Sequence, residues 1–270
     1  NKNMKKTSLY LSTMIIMLGL FSSCKKLTNV NNSNPVPPTP TITVPGVYDG
    51  SLVSVRTFFS FDVTKFSPIK LPVAVPPIDL QLETATALFY NGGTSVVDAG
   101  AVSVNSFSLT KASNNAYFRN SFDAGNYTSG LDMNFSSGSS WNVGGASAVT
   151  AFTYNHTDAF PSYSGLSSLP ETINKSSNLS LNITSSNADS VFVAIISGST
   201  TASGSVIKRY GPTATNITIS SADLAPLTTT GSNGIAYLEI IPWRYKMVTL
   251  NSKNYVFMKL AAYVKNVKIQ

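Results

Sequence analysis

Short stretches in which apolar and polar residues alternate recur along most of the chain, and Gly, Pro and Asn interrupt them. Alternation with a period of two indicates β-strands with one face in a core, and no stretch beyond the first 46 residues shows the sustained 3.6-residue period of an amphipathic helix. In the clearest strand, Val256, Met258, Leu260, Ala262 and Val264 are predicted to face the core. The pattern therefore predicts an all-β fold.

Turn-forming residues divide this β-rich body into two parts of similar length. The stretch from Pro161 to Pro170 is a candidate boundary, and it predicts two β-sandwich domains, 46–162 and 163–270, each of a usual size for the fold. A single large sandwich of about 220 residues is the alternative, because β folds also reach that size.

The first residues of the chain have the pattern of an export leader. Lys5 and Lys6 precede an apolar stretch from Leu9 to Phe21, which is too short to cross a bilayer but suits the apolar region of a signal peptide. The next residues, Phe21-Ser22-Ser23-Cys24, resemble the lipobox of bacterial lipoproteins. The resemblance implies a signal peptide over 1–23 and a lipidated Cys24, whose two or three acyl chains, palmitate among them, hold the protein stably on a membrane.

A segment rich in Asn, Thr and Pro follows the cysteine, over residues 24–45. Such a composition cannot bury apolar surface, so we expect a disordered, extended tether between the lipid anchor and the folded body. An anchor followed by a spacer suits a protein of the cell envelope, and we place it on the outer membrane of a Gram-negative bacterium.

The second half contains a looser resemblance to known domains. Leu179 to Ile183, Asp189 to Val193, and Asn216 to Ile219 leading into Leu224-Ala225-Pro226-Leu227 resemble successive strands of a fibronectin type III or immunoglobulin-like sandwich. The resemblance covers roughly residues 170 to 270 and implies an Ig-like β-sandwich there.

Composition excludes several classes of function. One His and one Cys are too few for a structural zinc site or a disulfide framework. Without the leader the net charge falls from +7 to +4, which is too weak to indicate nucleic acid. Residues 201–270 hold eight basic and two acidic groups, and a solvated lysine-rich face is favoured there over a surface for an acidic polymer or the membrane.

The search for catalytic and metal-binding motifs gives mostly negative results. The chain has no nucleophile elbow, dinucleotide fingerprint or phosphate loop, and His156, with Asp158 two residues on, is interpreted as a polar loop histidine. Asp79 and Glu83 lie about 13 Å apart along a strand, which is too far for a glycosidase pair. Ordinary turns are favoured over a calcium site at Asp123, Asn126 and Asp132. We therefore expect no enzyme, no metal and no cofactor.

Aromatic residues near the C-terminus are the candidate binding surface. Tyr255, Phe257 and Tyr263, interleaved with Lys259 and Lys265, are predicted to face outward, and Trp243 lies in a second candidate segment. These rings would stack on sugars or contact a protein, although a neighbouring strand or domain covering them explains the pattern equally well.

Taken with the leader, these features favour a lipid-anchored, non-catalytic protein that binds glycan or protein. A pilus or stalk subunit is the alternative, and a glycan-cleaving enzyme is less favoured.

Overall fold

The structure is a computed structural model, and it describes residues 47–61, 78–92, 95–120, 132–198, 203–230 and 235–270. These residues form seventeen β-strands, one four-residue α-helix and two 3-10 turns. The prediction of an all-β fold is confirmed. No helix in this part of the chain is long and apolar enough to cross a membrane.

A nine-stranded sheet forms one layer of the molecule. Its strands are β1 (Gly50–Phe61), β2 (Ile78–Phe89), β5 (Thr110–Lys111), β6 (Tyr117–Asn120), β10 (Thr172–Ile173), β13 (Ser190–Gly198), β14 (Ser203–Tyr210), β16 (Ile235–Leu250) and β17 (Lys253–Ile269). Their order across the sheet is β14-β13-β16-β17-β1-β2-β6-β5, and β10 pairs with the end of β17.

Three smaller sheets form the second layer. A four-stranded sheet has the order β4-β3-β7-β8, and β11 pairs with β15 and β9 with β12. Their bounds are β3 (Val102–Val104), β4 (Phe107–Ser108), β7 (Ser139–Val143), β8 (Phe152–His156), β9 (Ser162–Tyr163), β11 (Leu179–Asn182), β12 (Ser185–Ser186) and β15 (Asn216–Ile219). Helix α1 (Ser221–Leu224) begins after Ser220, whose side chain accepts a hydrogen bond from the backbone N–H of Asp223. The 3-10 turns are Phe135–Ser137 and Leu166–Ser168.

Strands β16 and β17 form a long antiparallel hairpin in the middle of the large sheet. Asn251 and Ser252 connect them with φ angles of 51° and 62°, the left-handed conformation that a two-residue hairpin turn requires. The core residues predicted on β17, from Val256 to Val264 at alternate positions, are buried, so that prediction is confirmed.

The first and last strands of the body lie side by side. β1 pairs in parallel with β17, from Gly50 opposite Tyr255 to Ser60 opposite Lys265. The chain from Val47 to Gln270 is one compact unit. The predicted boundary between residues 162 and 163 therefore does not separate two sheets, because strands from both sides of it share the large one.

Two apolar clusters join the layers. One lies between the large sheet and the four-stranded sheet and includes Leu52, Phe89, Trp141 and Phe257. The other lies between the large sheet and the smaller pairs and includes Ile183, Val193, Leu224 and Leu238, among others. The large sheet thus packs against a different partner at each end of its long central strands.

Candidate functional site

Several sequence predictions fall on residues outside the described ones. These are the signal peptide over 1–23, the lipidated Cys24, the tether over 24–45, and the calcium candidates Asp123 and Asn126. Asp132 is described, and its Oδ1 accepts a hydrogen bond from the backbone N–H of Asn134, as in an ordinary turn. Among the described residues, no group of three or more His, Cys, Asp or Glu side chains is arranged to hold a metal ion.

The predicted aromatic binding surface is not exposed. Tyr255 and Phe257 are buried, because the four-stranded sheet covers the face of β17 that carries them. The ring of Tyr255 lies 4.5 Å from that of Phe152, and the ring of Phe257 lies 4.2 Å from that of Tyr154. The prediction that this face is open to a partner is wrong, and the alternative of a covered face holds.

Tyr263 and Trp243 are also buried, but through other contacts. Tyr263 stacks on Phe58 with 4.7 Å between ring centroids and meets Tyr163 edge-on at 5.5 Å. Trp243 has no exposed surface and stacks between two other rings, those of Phe192 and Tyr245. Their role in the structure is packing.

Three lysines of β17 donate to backbone carbonyls, and one of them, Lys259, departs from the expectation of a solvated basic face. The Nζ of Lys253 donates to the carbonyl of Ala148 at 2.8 Å, and that of Lys265 to the carbonyl of Leu169 at 2.5 Å. Lys259, which has no exposed surface, donates to the carbonyls of His156 at 2.7 Å and Asp158 at 2.5 Å. The expectation that Lys259 is exposed is wrong, because the segment that follows β8 crosses directly over it.

The one histidine lies at the end of β8 and is 1% exposed. The interpretation of His156 as a polar loop residue is therefore wrong. Burial, and next the positive charge of Lys259, lower the pKa of His156 from 6.5 to about 4. The imidazole is neutral at pH 7.

Asp158 connects this histidine to the protein surface. Its Oδ2 lies 3.5 Å from Nε2 of His156 and 3.5 Å from a guanidinium nitrogen of Arg244, while its Oδ1 lies 3.7 Å from Nζ of Lys246. Burial raises the pKa of Asp158, but the charges of Lys246 and Arg244 outweigh it, and the pKa is lowered overall. The carboxylate is thus charged and partly exposed between two cations.

This arrangement lacks the features of an acid–base catalytic site. Ser139 is the residue directly opposite His156 on β7, but both side chains are buried and no hydrogen bond joins them. A catalytic nucleophile needs both a base within hydrogen-bond reach and access for substrate. The sequence places Asp158 two residues after His156, but it gave no sign that His156 would be buried.

Glu83, considered as a glycosidase residue, holds a loop instead. Its Oε2 accepts hydrogen bonds from the backbone N–H groups of Met133 at 2.6 Å and Phe135 at 3.2 Å, and its Oε1 lies 3.2 Å from Nε of Arg56. Burial is the main cause that raises its pKa. These contacts hold the segment that leads into β7, so Glu83 has a structural role here.

No known protein family, no curated protein and no solved structure is detectably similar to this chain.

Proposed function

We propose that this protein is anchored in the cell envelope by a lipid on Cys24 and that its β body binds glycan or protein without catalysing a reaction. The leader supports the anchor, because a basic start, a 13-residue apolar stretch and Phe21-Ser22-Ser23-Cys24 occur in the order that lipid modification requires. The body supports a binding role, because a stacked β scaffold positions surface groups rigidly.

The strand order of the second half supports the resemblance to an Ig-like sandwich. In the larger sheet of such domains the strands follow the order G, F, C and C′. Strands β17, β16, β13 and β14 lie in the corresponding order, and β11 pairs with β15 as strand B pairs with strand E. Domains of this architecture commonly bind partners on the cell surface.

The observation that carries a non-catalytic binding role is the contrast between two neighbouring groups of side chains. The side chain of His156 is buried, whereas the side chains of Arg244, Asp158 and Lys246 are 25%, 29% and 48% exposed. The exposed Lys246 and the partly exposed Arg244 and Asp158 present donors and acceptors together, which is what sugar hydroxyls, sugar carboxylates or polar protein groups bind. We place the binding surface there, in place of the buried aromatic residues.

Lipid attachment is tested by growing cells with a clickable palmitate analogue. The wild-type chain is expected to take up the label and to fractionate with membranes, and the Cys24→Ser variant is expected to do neither. Label on the variant would contradict modification at Cys24.

Binding is tested on an array of neutral and acidic glycans. The Arg244→Ala and Lys246→Ala double variant is expected to lose the retention of the wild-type protein, while Lys111→Ala, which removes a distant exposed lysine, keeps it. Equal retention of both variants would refute this surface. Release of reducing ends from a retained glycan would refute the non-catalytic role.

A further inference from the structure

Strand β14 ends the strand order of the large sheet and is a long, regular edge. It pairs only with β13, from Val191 opposite Tyr210 to Gly198 opposite Ser203, without a bulge. No hydrogen bond joins its backbone to any described residue outside β13. The other end of the order is β5, which has only two residues. Short edge strands, prolines and bulges protect an edge from pairing with another chain, and β14 has none of them.

The two cations of β14 do not guard this edge either. Nζ of Lys208 lies 2.6 Å from Oδ1 of Asp223 on α1. Nε of Arg209 donates to Oγ of Ser190 at 3.0 Å, and its guanidinium carbon lies 5.4 Å from the centre of the Trp243 ring. Lysine on an edge strand normally discourages pairing, but both of these charges are held by groups of their own chain. The outer N–H and C=O groups of β14 are therefore a template for a further strand.

The sequence of β14 is complementary to itself in one antiparallel register. A two-fold axis normal to the sheet keeps each side chain on its own face, and we place that axis beside Ile207. The opposed residues of the two copies are then Ile207 with Ile207, Val206 with Lys208, Ser205 with Arg209, and Gly204 with Tyr210.

The side chains favour this register over its neighbours. Ile207 is half-buried in one copy, and pairing with its counterpart removes more of its apolar surface from water. The large ring of Tyr210 lies opposite Gly204, where a Cβ would collide with the carbonyl of Pro226, so the largest residue meets the smallest. No like charges are opposed, whereas an axis beside Lys208 would place two lysines face to face.

We propose that two copies of this protein associate through β14, pairing antiparallel about Ile207, so that two nine-stranded sheets join into one. Main-chain hydrogen bonds supply the affinity, as in other cases of strand addition, and the opposed side chains set the register. The contact is isologous, because the same strand serves both copies. It uses up the edge in each copy, so this contact gives a closed dimer and no filament.

Disulfide cross-linking of the full chain in cells tests the proposal. Directly opposed residues of an antiparallel pair have Cβ atoms about 4.5–5.5 Å apart, within reach of a disulfide after a small adjustment. With a mild oxidant added, the Ile207→Cys variant is expected to form a covalent dimer that a reducing agent separates. The wild-type chain, whose one cysteine is Cys24, measures any link through that residue.

Arg209→Cys is the matched control, because residue 209 is exposed and shares the strand and the face of residue 207. In the proposed register its two copies are about 14 Å apart, which no disulfide spans. It is expected to give no more dimer than wild type, whereas Ser205→Cys combined with Arg209→Cys is expected to cross-link. Equal dimer from Ile207→Cys and Arg209→Cys, or no dimer from Ile207→Cys, would overturn the proposal.

Sedimentation of the purified protein gives a second, independent measurement. Ile207→Lys and Ile207→Glu each oppose like charges across the axis, so each variant alone is expected to be a monomer. An equimolar mixture of the two is expected to restore the dimer, which also shows that both variants are folded. A wild-type chain that stays monomeric would leave this edge to a different strand and overturn the proposal, and so would a mixture that stays monomeric.

Discussion

Lys259 is the residue for which sequence and structure lead to opposite expectations, and its replacement tests the structure directly. Lys259→Ala leaves the carbonyls of His156 and Asp158 without their donor, and each orphaned buried acceptor costs about 1–3 kcal/mol. The lost side-chain methylenes cost about 2 kcal/mol more. An exposed lysine would change stability by no more than about 0.5 kcal/mol.

One effect opposes these losses. Burial lowers the pKa of Lys259 from 10.5 to about 8, so the ammonium is held in the fold at an energetic disadvantage. Each pKa unit corresponds to about 1.4 kcal/mol, so removing the charge is expected to raise the free energy of unfolding by about 3 kcal/mol. The net expectation for Lys259→Ala is a loss of about 1 to 5 kcal/mol. Lys259→Met keeps the apolar part and is expected to cost about 2 kcal/mol less than the alanine variant.

Guanidinium unfolding at neutral pH measures both variants beside Lys246→Ala, whose lysine is about half exposed and makes one long ion pair. That control is expected to lose at most about 1 kcal/mol. The comparison is valid while the denaturant slope is unchanged among the variants. A Lys259→Ala protein as stable as wild type would refute the buried contacts from which the estimate is built.

The remaining predictions concern other buried groups. Because the pKa of His156 is lowered from 6.5 to about 4, the folded state resists protonation, and stability present above pH 6.5 is expected to fall by about 3 kcal/mol as the pH drops to about 4. His156 is the one histidine, so its ring proton resonance reports the pKa directly, and a midpoint near 6.5 would contradict its burial. Tyr263→Ala is expected to cost about 3 to 5 kcal/mol in denaturant unfolding, and Tyr263→Leu clearly less; an unchanged stability would reopen the question of a binding face. Glu83→Ala leaves two buried N–H groups unpaired and is expected to cost at least about 2 kcal/mol, a prediction that fails if its unfolding midpoint matches that of wild type.

The fold class was predictable because alternation is a local property. The period of two along β17 is visible in the residues themselves, and so is the choice of Val256 to Val264 as core. Nothing in that pattern states what lies over the other face. Tyr255 and Phe257 were predicted to lie on a surface because lysines share their face of the strand. A long lysine side chain, however, also reaches a carbonyl from within a buried layer.

The candidate site was less predictable because it depends on contacts far apart in the chain. Lys259 meets His156 across 103 positions, and Arg244 meets Ala159 across 85. The short spacing of His156 and Asp158 is visible in the sequence, but the burial of His156 depends on the packing of one sheet on another. Strand alternation does not determine which sheets stack.

The parallel pairing of β1 with β17 has a consequence for how the chain matures. β1 pairs on one side with β2, the next strand, but its neighbour on the other side lies 205 positions later, so the centre of the large sheet closes only once β17 has been made. A chain interrupted at residue 250 would present β1 as an open edge, ready to pair with another molecule. Contacts of such long range slow folding, because the entropy of closing the loop is lost before the contacts form. Holding the nascent chain unfolded until β17 is available would therefore protect it from aggregation.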